Sequence, residues 1–340
     1  MIKYLIPEEG SFYKANLHCH TTISDGKQTP EEVKEFYKAN GYSVVAYTDH
    51  DVMIPHPDLN DSEFLTLNGF EMEIGRRDHY PPGKPKRTCH FCSIAATPEM
   101  TRQPCWNPEY ADIGNAAKYI DLVDKDESAP YYTRSYNIDT VNEMMQICRD
   151  AGFFVTYNHP VWSFEDYPIY TAYHGMHAME IENYSSARLG YDEHNASKYD
   201  DMLRCGERIF AVGADDNHGR NDSLGAFVMI KAPKLEYTAI TDALFKGDFY
   251  ASTGPEIKSL YLEGKTLCVS TSDAACISIM AGVRRARAKY PAEGESLNFA
   301  SFDLDGSEVY VRVTVTDKFG KNAYSRAYFI DEIFTEEGAN

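Results

Sequence analysis

The chain has 340 residues, of which 43% are hydrophobic and 25% charged, and its formal net charge is −19. This composition is typical of a globular protein, and the acidity argues against nucleic acid or an anionic membrane as a partner, because both bind basic surfaces. The first twenty residues contain no long apolar run, so we expect no signal peptide and no spanning helix, and a cytoplasmic protein whose eight cysteines are reduced.

Strand and helix patterns alternate along the first 250 residues. The segment KANLHCHT predicts a strand that ends in two histidines, and TPEEVKEFYKANG predicts a helix with Thr29 as its N-cap, Pro30 in its first turn and Gly41 after its end. Further helices are predicted in NIDTVNEMMQICRDAG and over residues 195–206. Buried strands are predicted in SVVAYTDH, FLTLNGFEMEI, TCHFCSIAA, FFVTYNHP, HAMEIENY and RIFAVGADDNH. This alternation favours a parallel sheet with crossover helices, and about seven strands favour a closed or distorted barrel.

Two insertions interrupt the alternation, over residues 76–88 and 97–136. The first is rich in proline, glycine and charge and predicts a loop, and the second has one short helical pattern near 115–123 and is expected to shape substrate access. Towards the C-terminus the pattern changes to about six short alternating runs separated by turns, which predicts an all-β sandwich. We therefore expect two domains, which comprise residues 1–253 and residues 254–340.

Imidazoles and carboxylates recur where the predicted strands end. His18 and His20 are two residues apart on a strand, so both side chains leave the same face, and the same parity pairs Asp216 with His218. An isolated HxH motif is weak evidence for a metal site, but the other candidates follow the ends of several further strands, and the loops at one end of a barrel would bring them together. The candidate ligands are His18, His20, Asp25, His50, Glu71, His90, His159, Asp216 and His218.

Six segments carry a family resemblance. HCHTTISDG, YTDHD, NGFE, CHF, YNHP and ADDNHG resemble, in order and spacing, the motifs of the PHP-domain (polymerase and histidinol phosphatase) metal-dependent phosphoesterases over about residues 14–253. The later segments GPEI, YVRVTVTD and AYSRAYF resemble the carbaryl-hydrolase-like branch of that family. The resemblance implies an α/β fold, namely a distorted (β/α)7 barrel of PHP type with a smaller C-terminal β-sandwich, and two or three bound divalent metal ions.

The resemblance also implies how the ligands are shared. Glu71 is chosen over Glu73 because it directly follows the NGF motif, since strand parity puts both carboxylates on one face. Some members have histidine where this chain has Asp25. Nitrogen and oxygen ligands without thiolate suit Zn, Mn or Fe, and the sequence does not separate these metals. The implied sets are His18, His20, Glu71 and Asp216 for the first metal, Glu71, His90 and His159 for the second, and Asp25, His50 and His218 for the third.

Such a site suits phosphate ester hydrolysis. The oxygens of the ester are negative and repel a nucleophile, whereas clustered divalent ions offset that charge and lower the pKa of bound water, so the implied nucleophile is a metal-bridging hydroxide. We expect an enzyme that hydrolyses a small-molecule phosphoester, with Asp216 as a metal ligand that also orients the attacking water. The alternatives are a metallohydrolase that acts on a carbamate, amide or aryl ester, and a non-catalytic metal-stabilised scaffold or binding protein.

Groups that bind the phosphorylated substrate are expected on loops at the same face, where arginine is favoured because its planar guanidinium matches a phosphate. Arg220 follows the DNHG motif, and Arg188 follows the strand end EIENYSS, to which Asn183 belongs. The sequence therefore predicts Arg188, Arg220 and Asn183 as substrate-binding residues. The predicted sandwich shows no evident chemistry, and we expect it to pack against the barrel or to form a homo-oligomer.

Overall fold

The computed structural model describes residues 2–75 and 86–334 and shows a mixed α/β fold rich in β-structure. Of the predicted loop at 76–88, residues 76–85 lie outside the described residues. The α-helices are α1 (Pro30–Ala39), α2 (Ile138–Asp150), α3 (Tyr167–Tyr170), α4 (Tyr184–Arg188), α5 (Ala196–Arg204), α6 (Tyr237–Lys246) and α7 (Ile330–Ile333). The strands are β1 (Ile2–Tyr4), β2 (Ser11–Asn16), β3 (Val44–Tyr47), β4 (Leu65–Gly75), β5 (Thr88–Ala95), β6 (Phe153–Tyr157), β7 (Ala178–Asn183), β8 (Phe210–Ala214), β9 (Phe227–Ala232), β10 (Phe249–Ser252), β11 (Ile257–Glu263), β12 (Thr266–Ala274), β13 (Cys276–Ala281), β14 (Arg287–Lys289), β15 (Leu297–Asp303), β16 (Tyr310–Thr316), β17 (Asn322–Ser325) and β18 (Tyr328–Phe329).

The strands form two sheets. The smaller has the order β1-β11-β12-β15, and the larger runs β14-β13-β16-β17-β10-β9-β2-β3-β4-β5-β6-β7-β8, with β18 paired to β16. The C-terminal strands make two packed layers, in which Leu260 and Val269 of the small sheet share a buried cluster with Ile277 and Val313 of the large one. Strand β10 joins the two halves of the large sheet, because it pairs with β9 on one side and with β17 on the other.

Strands β2 to β8 form the part of the large sheet that carries the candidate ligands. The pairs β2–β3, β3–β4, β6–β7 and β7–β8 are parallel, but β5 runs antiparallel to both β4 and β6. Just beyond β2 and β8 the chain segments meet, since Asp216 N donates to His18 O (3.0 Å) and His20 N donates to Asn217 O (3.1 Å). The sheet is thus mixed where a parallel one was expected, and helices are too few among the described residues for a regular strand–helix repeat.

The first predicted helix is confirmed as α1. The Thr29 hydroxyl accepts a hydrogen bond from Glu32 N (3.3 Å), and the Glu32 carboxylate accepts one from Thr29 N (2.9 Å), which are the two bonds of a capping box. Pro30 occupies the first position, where its missing N–H costs nothing. Gly41 follows the helix end with a φ of 79°, a left-handed conformation that glycine adopts without strain.

The other predicted helices are also present as α2 and α5. The N-cap of α2 is Asn137, whose side chain accepts from Thr140 N (2.9 Å). The helical pattern near 115–123 forms two 3-10 turns, Ala116–Lys118 and Ile120–Leu122. The sequence did not predict β1, β9, α6 and β10, although β9 and β10 lie in the middle of the large sheet.

The eight cysteines all lie in described residues and are free thiols, six of them buried. The thiols therefore contribute to packing rather than to covalent cross-links within the chain.

In the described part of the chain, every helix is too short or too polar to cross a membrane.

Arg312 on β16 and Asp200 on α5 form a buried ion pair. Arg312 donates from Nε to Oδ1 (2.9 Å) and from Nη2 to Oδ2 (2.7 Å), and each residue is 3% exposed. The Arg312→Met variant leaves the carboxylate buried without its partner, so we expect the free energy of unfolding, measured by urea denaturation, to fall by about 3–5 kcal/mol. The control is Arg285→Met, whose pair with Asp305 is exposed to solvent, so its loss should change the unfolding free energy far less. Equal losses in the two variants would contradict this assignment.

His177, just before β7, makes stability depend on pH. Its Nδ1 accepts a hydrogen bond from Val155 N (3.1 Å), and burial lowers the pKa of His177 to about 4. The unfolded chain takes up this proton near pH 6.5, so the stabilisation is complete above pH 6.5 and is lost as the pH falls toward 4. We expect the unfolding free energy of the parent to drop over this range by up to about 2 kcal/mol more than that of His177→Leu. An equal fall in the unfolding free energy of the parent and of His177→Leu would contradict this assignment.

Candidate metal centre

The nine candidate ligands lie together at one end of strands β2 to β8. Most of them follow a strand end, as predicted. Glu71 lies inside β4 and His90 near the start of β5, where it faces Glu73 in the register of the two strands. Because β5 runs antiparallel to its neighbours, its first residues lie at the edge where the parallel strands end. Seven of the nine are at least nine-tenths buried, whereas Asp25 and His218 remain partly exposed.

Glu71 is the centre of the cluster. Its carboxylate is 1% exposed and lies against five imidazoles, which come from segments far apart in the sequence. The distances from a carboxylate oxygen of Glu71 to the nearest ring nitrogen are 3.2 Å for His18, 3.4 Å for His20, 3.2 Å for His50, 3.3 Å for His90 and 3.3 Å for His159. A shared carboxylate of this kind fits the bridging role implied for Glu71.

Asp216 completes the first implied set. Its Oδ1 lies 3.2 Å from His18 Nε2 and 3.0 Å from His20 Nε2, and the two Nε2 atoms are 3.0 Å apart. Ligands on a tetrahedral zinc ion, with bonds of about 2.0–2.1 Å, are separated by about 3.3 Å. The separations between His18, His20 and Asp216 are thus close to those between ligands of one small cation.

The remaining ligands form two neighbouring groups. His90 Nδ1 and His159 Nε2 each lie 3.3 Å from Glu71 Oε1, as expected for the second set. In the third set, Asp25 Oδ2 lies 3.4 Å from His218 Nε2 and 3.9 Å from His50 Nε2. His20 lies between the first and third groups, since its Nδ1 is 3.7 Å from Asp25 Oδ1.

The donor set fits divalent metal ions. The candidate ligands fall into overlapping groups of three or four residues whose ligand atoms lie within 4.8 Å of one another. His50 Nδ1 and His90 Nε2 are buried and have no hydrogen-bond partner among residues 2–75 and 86–334. Buried polar atoms are rarely left without a hydrogen bond, so such ring nitrogens beside carboxylates favour a site built for cations.

The electrostatics show why the cluster attracts cations. Burial alone would raise the pKa of Asp216, but His18 and its other imidazole neighbours hold that pKa below its usual range. Burial would lower the pKa of His18, yet the carboxylates around it, Asp216 foremost, raise it well above 6.5. Burial lowers the pKa of His50 to about 3. The carboxylates thus stay charged, and metal ions would displace protons from the imidazoles when they bind.

Glu180 on β7 orients the ligands from behind. Its Oε1 accepts from His18 Nδ1 (2.7 Å), and its Oε2 accepts from His159 N (2.9 Å) and from Asn183 Nδ2 (2.8 Å). A carboxylate on the far nitrogen of a ligating histidine fixes the ring and the tautomer. Glu180 was not predicted from the sequence, although it lies on a predicted strand, and a register shift between Glu180 and Glu182 sends these two carboxylates to different partners.

The backbone turns sharply where two ligands leave their strands. His159 has a φ of 22° and Asp216 a φ of 53°, and Asp51, next to the ligand His50, has a φ of 58°. Residues other than glycine avoid these conformations, and such strain gathers at functional sites. Strain at these positions is held by the surrounding hydrogen bonds, including the one that Glu180 accepts from His159 N.

Two further side chains that were not predicted as ligands approach the cluster. Asn158 Nδ2 donates to Glu71 Oε1 (2.7 Å) and to Cys92 Sγ (3.3 Å). Cys92 lies directly opposite Glu71 in the β4–β5 register and groups with Glu71 and His18 as a candidate ligand set. Burial raises the pKa of Cys92 to about 11, so the thiol stays protonated in the absence of a metal. The sequence CHFC could have indicated that Cys92 lies near the ligands, because residues 90 and 92 lie on the same face of a strand.

The predicted substrate-binding residues lie apart from one another. Asn183 is buried and donates to Asp216 Oδ2 (3.2 Å), and its own oxygen caps α4 through Ser186 N (2.9 Å). Arg188 is exposed at the end of α4. Arg220 is exposed and lies over the ring of Phe36 on α1 at 5.4 Å. Neither arginine lines the cleft above the ligands, and their role as substrate-binding residues stays a prediction.

That cleft has a volume of about 250 Å³. Five of the candidate ligands line it, together with a second wall of Trp162, Ser185, Ser186, Leu189 and Asp222. The Trp162 ring packs edge-to-face against His90 and His159, with centroid distances of 5.2 and 5.0 Å. The cluster is therefore open to a small molecule on one side.

The 97–136 insertion closes another side of the site. Gln103 Nε2 donates to Asp51 O (2.9 Å), and Arg134 Nη1 lies 2.6 Å from Asp51 Oδ1 and donates to Glu73 O (2.9 Å). Asn115 N donates to Ser24 O (2.7 Å), in the loop that carries Asp25. The insertion thus holds the segments around two ligands, but none of its residues lines the cleft described above, and its expected role in substrate access stays a prediction.

No family model and no curated protein matches the chain. Among solved structures, the chain is similar to a two-domain protein from Bacteroides vulgatus ATCC 8482, named for a PHP-like metal-dependent phosphoesterase (14% identity, 96% of this chain and 98% of that chain, TM-score 0.45). It is also similar to a metal-dependent phosphoesterase, so named, from Bifidobacterium adolescentis ATCC 15703 (16%, 63% and 89%, TM-score 0.35). A third is an amidohydrolase from Chromobacterium violaceum with bound sulfate and no metal (16%, 61% and 88%, TM-score 0.39).

The first two of these proteins are named as metal-dependent phosphoesterases, and the third as an amidohydrolase. The resemblance of this chain to the carbaryl-hydrolase-like branch stays a prediction. All three TM-scores are low, so the side chains of the site, and not the overall likeness, are the basis for assigning a function.

Glu180→Gln tests the supporting role of this carboxylate. The variant removes the anionic acceptor behind His18, so we expect Zn²⁺ affinity, measured by titration against a competing chelator, to fall roughly 10- to 100-fold. The matched control is Glu182→Gln on the same strand, since Glu182 contacts Tyr324 and His194 instead of a candidate ligand. A larger loss in Glu182→Gln than in Glu180→Gln would overturn this role.

Proposed function

We propose that this protein is a metal-dependent hydrolase that cleaves a small-molecule phosphoester, with its metals held by the nine candidate ligands. The observation that carries the proposal is the buried Glu71 carboxylate within 3.4 Å of five imidazole nitrogens. Divalent ions bound there would offset the negative charge of a phosphoryl group and make water a nucleophile near neutral pH. We further propose that the three implied ligand sets each hold one ion, of zinc, manganese or iron, and that strands β2 to β8 form the distorted barrel of PHP type.

The chain's own residues position the reacting groups. Asp216 lines the cleft, and Asn183 fixes its carboxylate by a hydrogen bond to Oδ2 (3.2 Å). An oriented, charged carboxylate accepts a hydrogen bond from water, so Asp216 would align the attacking molecule besides serving as a ligand. The Trp162 ring covers His90 and His159 and limits the water that reaches them from that side.

The cleft also supports a small substrate rather than a polymer. Its volume of about 250 Å³ lies just below the roughly 300–1,000 Å³ of typical small-molecule pockets, and the net charge of −19 disfavours a polyanionic partner. A hydrolase for a carbamate, amide or aryl ester would use the same metals to polarise a carbonyl, and a non-catalytic scaffold would turn over neither class.

Activity with defined esters tests the proposal. Protein purified without chelator and supplied with Zn²⁺ or Mn²⁺ should release phosphate from p-nitrophenyl phosphate, and chelation should abolish this activity. Glu71→Gln should lower kcat/KM by more than roughly a hundredfold, because even partners outside the ligand shell are worth ten- to a hundredfold. The control is Glu182→Gln, whose carboxylate contacts Tyr324 and His194 instead of a candidate ligand, and it should stay within about tenfold of the parent.

Two outcomes would overturn this function. Hydrolysis of naphthyl carbamates or carboxylic esters without phosphate release would establish the carbonyl-directed alternative. A fully metallated sample that hydrolyses neither class would establish the scaffold.

A further inference from the structure

The wall of the cleft opposite the candidate ligands is apolar where it meets solvent. Leu189 lines the cleft and is 70% exposed, which is high for a large aliphatic side chain, and Trp162 lines it beside His90 and His159. Trp162 and Leu189 lie on two loops that are tied together by Glu193, whose carboxylate accepts from Trp162 N (2.9 Å) and Val161 N (3.1 Å). A ligand that covers an exposed apolar wall binds more tightly, because apolar surface is removed from water.

Few groups on the same wall could donate a proton to the departing oxygen of an ester. Its polar groups are the hydroxyls of Ser185 and Ser186 and the carboxylate of Asp222, and serine hydroxyls are very weak acids. The Asp222 oxygens act as acceptors, from His218 N (3.1 Å), Gly219 N (2.8 Å) and the Ser185 hydroxyl (3.4 Å). The other lining residues are candidate metal ligands, whose coordinating atoms carry no proton when a metal is bound. Among the described residues that line the cleft, none is therefore suited to protonate a departing oxygen.

We propose that the cleft selects phosphate esters of phenols, with the aromatic ring of the leaving group covering Trp162 and Leu189. This inference rests on the proposed function and names the substrate class of the same site. Both observations point to the same group, because an aromatic ring matches the apolar wall and a phenol oxygen departs without help from an acid.

The chemistry of the leaving group decides between ester classes. Hydrolysis forms a bond between phosphorus and the water oxygen and breaks the bond between phosphorus and the ester oxygen, which leaves with the bonding electron pair. A phenolate is a stable leaving group, since the pKa of a phenol is about 10. An alkoxide is about as basic as hydroxide, whose conjugate acid, water, has a pKa of about 15.7. The phenolate takes its proton from solvent after release, and the proton of the attacking water is also released to solvent.

Three esters test separately the binding of a ring to the apolar wall and the lack of a proton donor in the cleft. Phenyl phosphate has the ring and the good leaving group, cyclohexyl phosphate has an apolar ring with an alkoxide leaving group, and glycerol phosphate has neither. With the metal-loaded protein we expect kcat for phenyl phosphate to exceed that for cyclohexyl phosphate by at least about a hundredfold, the usual contribution of a general acid. We expect KM for cyclohexyl phosphate to lie roughly tenfold below that for glycerol phosphate, because the wall binds the ring.

Leu189→Ser tests the wall directly. We expect it to raise KM for both ring esters about tenfold while KM for glycerol phosphate changes less than about twofold. The matched control is Leu122→Ser, another leucine that is mostly exposed (65%) but lies in the 97–136 insertion away from the cleft lining, and it should leave all constants unchanged. Circular dichroism checks that both variants fold.

Specific results would overturn the inference. Equal kcat for phenyl and cyclohexyl phosphate would mean that the site stabilises the leaving oxygen, by a proton or by a metal ion, and does not select phenols. Equal KM for cyclohexyl and glycerol phosphate would mean that the wall does not bind the ring. In both cases phosphate is released and the proposed function stands. Release of phosphate from none of the three esters would overturn the proposed function itself, and this inference with it.

Discussion

The contact between one buried carboxylate and five imidazoles is the constraint on which this structure depends. A carboxylate that is 1% exposed is costly unless opposite charge lies close to it, and Glu71 obtains that charge from histidines on four different segments. The segments that follow β2, β3 and β6 and the first residues of β5 must therefore reach one point. Protons can supply part of the positive charge, and divalent cations can supply all of it while leaving every imidazole neutral.

The main chain holds these segments in place. The hydrogen bonds between residues 18–20 and 216–217 join the tips of β2 and β8, so ligands from the first and last of the seven strands become neighbours. Behind them, Asp215 faces away from the cluster and accepts from Leu224 N, Gly225 N, Ala226 N and the Tyr37 hydroxyl (2.7–3.0 Å). The tip of β8 is thus fixed on both faces, which helps this part of the site to keep its geometry before a metal binds.

Strand parity and strand ends pointed to several of the candidate ligands, because both properties are local, whereas Glu71 was chosen over Glu73 only through the resemblance to the PHP motifs. The capping residues of α1 were predictable for the same reason. The direction of β5 was not, since it depends on how two distant strands pair, and the place of Cys92 beside Glu71 depends on that pairing register. Arg220 shows most clearly what a sequence motif cannot predict. Its position next to the DNHG motif suggested that it binds substrate, but its side chain packs on Phe36.

The shared strand β10 has a consequence for how the chain is made. Its pairing with β9 is available as soon as residue 252 has emerged, whereas its other edge waits for β17, about 70 residues later. At a synthesis rate of about 5–20 residues per second, that edge stays open for roughly 4–14 s on the ribosome. An unpaired strand edge is a template for pairing with other chains, so nascent copies would need shielding during this interval. Folding of the ligand-bearing half and completion of the C-terminal layers are therefore coupled in time as well as in space.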